Sequence, residues 1–143
     1  MAIDAERLAM IRENAAFAIS ELGELAGIDF GLNRESVAWT EGFIERQRES
    51  LEEEAGEGLI NVLGSYLGEA IIAAAPEALW DDDDAGRLGL RFANGDMVFP
   101  FAKVAKQLAG GLAAGESILS FYNVSVDYVA AEKLDQAGES EAP

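Results

Sequence analysis

Apolar residues recur at steps of three and four near the start of the chain: Leu8, Ile11, Ala15, Ala18 or Ile19, Leu22, and Leu25 or Ala26. That period puts them on one face of a helix over residues 5–26, with Asp4 as N-cap and Gly27 as stop. After the linker 28–33, Asn33 caps a second helix expected to run to about Ala55. Val37, Thr40, Ile44 and Leu51 share one side of it, with Trp39 and Phe43 beside them. Glu41, Glu45, Arg48 and Glu52 share another side, and their three- and four-residue spacing predicts a solvated stripe. Gly56 and Gly58 should break or bend the chain before a third helix, Leu59–Ala75, which Pro76 ends nearby. That helix is apolar around most of its circumference, so it belongs in the middle of the domain.

Beyond Trp80 the period changes. Residues 87–92 alternate as Arg, Leu, Gly, Leu, Arg, Phe, the pattern of a half-buried strand, and Asn94-Gly95 signals a two-residue hairpin turn. With that turn Phe92 opposes Met97, Leu90 opposes Phe99 and Leu88 opposes Phe101, while Arg87, Gly89, Arg91 and Val98 fall on the other face. Pro100 suits the first turn of a helix from about Phe101 to Ala109, ended by Gly110-Gly111, with Val104 and Leu108 inward and Lys103 and Lys106 outward. Ile118, Leu119, Tyr122 and Val126 fit a helix, whereas Val124, Val126 and Tyr128 fit a strand; a helix through Phe121 or Tyr122 is expected and the rest stays open. From Lys133 onward the chain is small, polar and acidic. The fold expected is α+β: three N-terminal helices packed on a short antiparallel sheet (hairpin 87–101), then one or two helices. One domain spans 1–132 and a disordered tail 133–143.

Composition narrows the chemistry. The 143 residues, half of them apolar, suffice for one core and contain neither histidine nor cysteine. Nucleophiles that rely on imidazole or thiolate, thiol redox pairs and the usual zinc or haem ligand sets are therefore closed to the chain. Carboxylate chemistry, hydrated Mg²⁺ or Ca²⁺ held by oxygens, or no chemistry at all remain, and no cofactor is implied. With 27 acidic against 10 basic residues the formal charge is −17, which opposes binding to nucleic acid. Leu59–Ala75, the most apolar window, is 17 residues long with Glu69 inside it, short of the ~20 a membrane span needs. The start, MAIDAERLAMIREN, reads as no export signal, and a cytoplasmic location is expected.

The charge is uneven. Residues 1–84 hold 20 acids and 5 bases, residues 85–115 hold 1 acid and 4 bases, and residues 116–143 hold 6 acids and 1 base. Arg87 and Arg91 project from one strand face, Lys103 and Lys106 from one helix face. Either they pair internally with Glu69, Asp81–Asp84 or the glutamates of 49–57, the commoner outcome, or they converge on an anionic ligand or an acidic protein segment.

Other motifs have plainer readings. Gly64-x-x-x-Gly68 puts two glycines on one helix face, where a neighbouring backbone could approach closely, and core packing is the expected reason. Glu69, on a largely apolar helix, either snorkels to the surface or meets a partner such as Arg87 or Arg91. Asp81–Asp84 followed by Ala85-Gly86 fails the EF-hand template, because Ala85 and Phe92 fall where ligands are needed, and four adjacent aspartates usually form a solvated, self-repelling loop. Glu21-x-x-Glu24 and Glu49-x-x-Glu52 resemble the Mg²⁺-holding pairs of all-α nucleotide pyrophosphohydrolases, a match that an acidic chain also produces by chance, as at Glu54 and Glu57.

Leu63-Gly64-Ser65-Tyr66-Leu67-Gly68-Glu69, Trp80, Pro100-Phe101-x-Lys103-Val104 and Ser117-Ile118 together resemble a family of small bacterial domains of unknown function, over about residues 39–122. The resemblance implies an α+β fold in which Trp80 starts a short sheet, and no activity. The expected function is a non-catalytic protein-binding or regulatory domain, in the manner of an acidic inhibitor or immunity-like protein for a basic partner. Alternatives are a Mg²⁺-dependent nucleotide hydrolase using Glu21, Glu24, Glu49 and Glu52, and a small-anion sensor. Candidate ligand-binding residues are Arg87, Arg91, Lys103, Lys106 and Glu69.

Overall fold

Local capping sets the first two helices. Asp4 accepts the Arg7 backbone N–H at 2.8 Å and Gly27 closes the helix at φ 67°, so α1 spans Ala5–Ala26 as its period predicts. Asn33 accepts from the Ser36 N–H at 2.9 Å and opens α2, Arg34–Gln47. The structure, a computed structural model, describes residues 3–50 and 53–129. The tail expected from residue 133 lies outside them.

The boundary between α2 and α3 differs from expectation. Helix α2 ends at Gln47 instead of near Ala55, a turn occupies residues 48–50, and α3, Glu53–Ala74, runs straight through Gly56 and Gly58. A glycine inside a helix costs about 1 kcal/mol relative to alanine. Burying Leu63, Tyr66, Leu67 and Ile71 on the same helix, each at 0–1% exposure, contributes several times that. Propensity therefore yields to packing, and α3 occupies the centre of the domain, with α1 on one side and α4, Pro100–Gly110, on another.

Three antiparallel strands follow, in spatial order β1 (Leu79–Asp82), β2 (Leu88–Arg91), β3 (Met97–Val98). Both hairpins use the same three-residue loop. Asp83 and Arg87 close the first and Phe92 and Asp96 the second; Gly86 and Gly95, at φ 80° and 95°, donate their N–H back to Asp83 and Phe92. A type I turn followed by a left-handed glycine produces this loop. The expected two-residue Asn94-Gly95 turn is thus corrected to Ala93-Asn94-Gly95, and the register slips by one: Leu90 opposes Val98 and Arg91 opposes Met97. Trp80 and Leu90 pair on the core face, while Asp81 and Gly89 pair on the outer face, where the Phe99 ring covers Gly89.

The Gly64/Gly68 pair on α3 seats aromatic rings instead of a neighbouring backbone. A Cβ at Gly64 would collide with the Phe101 ring and one at Gly68 with the Trp80 indole. Those rings meet each other at 5.6 Å between centroids, so the two glycines join α3, β1 and α4 at one point.

Helix α4 opens on Pro100, and Ser117 caps α5, Ile118–Val124, with a π-helical turn over Ser125–Val129. The stripe Glu41, Glu45, Arg48 is not solvated. Glu41 accepts from the Ser117 hydroxyl and the Leu119 N–H; Glu45 accepts from Gln107 Nε2 at 3.0 Å and from the Leu112 N–H; Arg48 donates to the Leu108 and Ala109 carbonyls at the end of α4. Gln107, fully buried, also accepts the Ile118 N–H at 2.7 Å. Glu52 lies outside the described residues. The result is a mostly helical α+β fold: three helices, a three-stranded antiparallel sheet, then two helices.

Candidate functional site

A concavity of about 730 Å³ wraps the edge strand β3 and the adjoining face of α4. Its apolar wall comes from Leu88, Met97, Val98, Phe99, Phe101 and Phe121. Arg87, Lys103 and Lys106 supply positive charge, and Asn61 an amide. The one-residue slip of the second hairpin builds this wall, because it turns Phe99 away from Leu90 and towards Arg87, whose guanidinium lies 4.7 Å from the Phe99 ring centroid.

Three of the five candidate residues meet here, each in a different electrostatic state. Arg87 Nε donates to Asp83 Oδ2 at 2.8 Å, yet 70% of its side chain stays exposed. Lys103 Nζ lies 3.1 Å from Glu116, half-buried. Lys106 is exposed and makes no ion pair among the described residues. Among the described residues, two of these three cations are thus paired with an acid and Lys106 is not, inside a strongly negative chain.

Arg91 and Glu69 are elsewhere. Arg91 Nε donates to Asp81 at 2.8 Å, and its other nitrogens reach the carbonyls of Gly95 and Asp82 at 3.4 Å. Glu69 neither snorkels freely nor meets Arg87 or Arg91. It accepts the Trp80 indole N–H at 2.9 Å, with Arg12 at 3.7 Å, and so anchors the ring seated on Gly68.

The four aspartates are likewise not a self-repelling loop. Asp81 and Asp82 belong to β1, and Asp81, Asp82 and Asp83 each hold a different arginine: Arg91, Arg7 and Arg87. Arg91 beside Asp81 lowers that carboxyl to about 2, and hydrogen bonds to Arg7 and Arg87 hold Asp82 and Asp83 below the usual range. Glu21, Glu24 and Glu49 point into solvent, and among the described residues no three acidic side chains gather in a metal-holding cluster.

The aromatic half of the cleft escapes sequence reasoning, since Phe99 and Phe101 read there as strand partners and Phe121 as one more residue of a helix. The one usable signal was the glycine two residues past Ala93, which also permits the three-residue loop and therefore the other register.

Compared with protein families, curated proteins and solved structures, the chain matches none of them. No function is therefore carried over, and the resemblance over residues 39–122 adds none. No described helix is long and apolar enough to cross a membrane.

Proposed function

We propose that this chain is a non-catalytic binding or regulatory domain whose cleft around β3 and α4 holds an organic anion with an apolar body. The observation that carries the reading is the convergence of Arg87, Lys103 and Lys106 on one concavity walled by Phe99, Phe101 and Phe121. Apolar walls with a few placed polar groups are the usual make-up of a ligand site, and the volume suits a molecule of metabolite size. The acid group would sit against Lys106, which has no ion-pair partner among the described residues, and the body against the three rings. Arg87 stacked on Phe99 is already oriented for a planar acid.

Thermal unfolding of the full chain with inorganic phosphate, phenyl phosphate, acetate and octanoate tests this. Octanoate and phenyl phosphate should raise the melting temperature with the logarithm of ligand excess, a stabilisation of about 2.7 kcal/mol at a hundredfold excess over Kd. Phosphate and acetate should do little, and Lys106→Ala with Arg87→Ala should abolish the gain. A melting temperature that is flat across all four ligands would remove the proposal.

A further inference from the structure

Helix α1 carries a second surface, independent of the cleft. Its outward residues form an unbroken line at steps of three and four: Glu6, Met10, Glu13, Phe17, Glu21, Leu25. Acid and large apolar residue alternate along its whole length. All six are exposed, with Met10, Phe17 and Leu25 at 62%, 56% and 69%. Solubility explains the glutamates and leaves the three large apolar side chains without a reason. The helix's two bases are turned elsewhere, Arg7 to Asp82 and Arg12 towards Glu69, so no positive charge interrupts the line.

We propose that this line is a docking strip for a basic amphipathic helix of another protein. A helix of 22 residues offers about 33 Å of length, enough for several turns of a partner. Apolar residues of the partner would cover Met10, Phe17 and Leu25, and its lysines or arginines would face the interposed glutamates. A second copy of this chain would set glutamate against glutamate, and anionic lipid or nucleic acid would meet the same repulsion. Charge thus selects one occupant among those an apolar strip accepts.

The test uses the full chain and three synthetic peptides of about 18 residues, five helical turns. One is an amphipathic leucine-lysine helix, the second has the same composition scrambled, and the third replaces lysine by glutamate. The amphipathic basic peptide should bind at least about tenfold more tightly than the other two. Met10→Ser with Phe17→Ser should weaken it about tenfold, and Glu13→Lys with Glu21→Lys should do the same, with melting temperatures near the parent's. Lys106→Ala should leave it unchanged, which separates this strip from the cleft. Equal binding of the scrambled peptide, or no loss in the Met10/Phe17 variant, would reduce the effect to unspecific charge attraction and overturn the proposal. So would a parent dimer in sedimentation that Phe17→Ser dissociates, since a second copy would then own the strip.

Discussion

Helices α1 and α2 are written in much the same alphabet, an apolar face backed by glutamates at three- and four-residue spacing, yet their charged sides have opposite fates. On α2, Glu41, Glu45 and Arg48 are taken up by the segment from Gln107 to Leu119, which arrives 60 to 78 residues later and hangs its loose backbone groups on them. On α1, Glu6, Glu13 and Glu21 face solvent with Met10, Phe17 and Leu25 between them. A charged stripe is therefore solvated only if no later part of the chain needs it. The α4–α5 connection needs it because its N–H groups and carbonyls, partly removed from water, must find partners.

The largest effect should come from breaking the α2 arrangement at its buried centre. Gln107 joins Glu45 to the Ile118 N–H. Gln107→Leu keeps the volume and removes both bonds, leaving a buried donor unpaired at a cost of about 1–3 kcal/mol. The denaturant midpoint in urea should fall with an unchanged slope. A loss below about 0.5 kcal/mol would mean that the α4–α5 connection is held by packing alone, and the contrast with α1 would lose its cause.

How much of this could be read from the chain follows the same division. Helices α1 and α4 and the start of α2 are readable, since Asp4, Gly27, Asn33 and Pro100 act within one turn of where they stand. The start of α3 was not, because the penalty of Gly56 and Gly58 is local while the burial that outweighs it is tertiary. The hairpin was found with its register off by one, as a glycine after Asn94 serves both a two- and a three-residue loop. Of the site, the basic half stood out by composition. The pairing of Arg87 and Arg91 with aspartates of 81–84 is the expected one and is found, at Asp83 and Asp81. The aromatic half depends on that register, which local turn signals leave open.

A middle-sized effect should separate paired acids from displayed ones by pH. In the folded chain Asp81 is held near 2 by Arg91, with Asp82 and Asp83 also lowered, against an ordinary value of 3.8. A carboxyl lowered by folding gives stability that is present above its unfolded value and lost as pH falls through the folded one, here from about pH 4 towards 2. Protonating the displayed glutamates works the other way, by relieving the repulsion of a −17 chain. The difference between the parent and Arg91→Gln isolates the share of the first contribution that Arg91 gives through Asp81. The parent should lose more stability than the variant between pH 4 and 2.5, measured by urea midpoints at each pH. Equal slopes would mean that the Asp81–Arg91 pair does not distinguish β1 from the rest of the acidic surface.

The smallest effect should come from α1. Glu13→Gln and Glu21→Gln remove two exposed charges that touch no backbone group, so the denaturant midpoint should move by less than about 0.5 kcal/mol, upwards if at all as the net charge falls. Glu41→Gln, a chemically identical change on α2, keeps an acceptor oxygen but loses the charge that strengthens the bonds to Ser117 and Leu119, and should cost more than both α1 changes together. The two α1 substitutions should nevertheless weaken binding of a basic amphipathic peptide, which Glu41→Gln leaves intact. Stability and binding would then be governed by different helices: α2 spends its acids on the fold, and α1 keeps its acids for contact with another molecule. If Glu13→Gln and Glu21→Gln destabilise the chain as much as Glu41→Gln does, α1's line is structural after all and the distinction between the helices disappears.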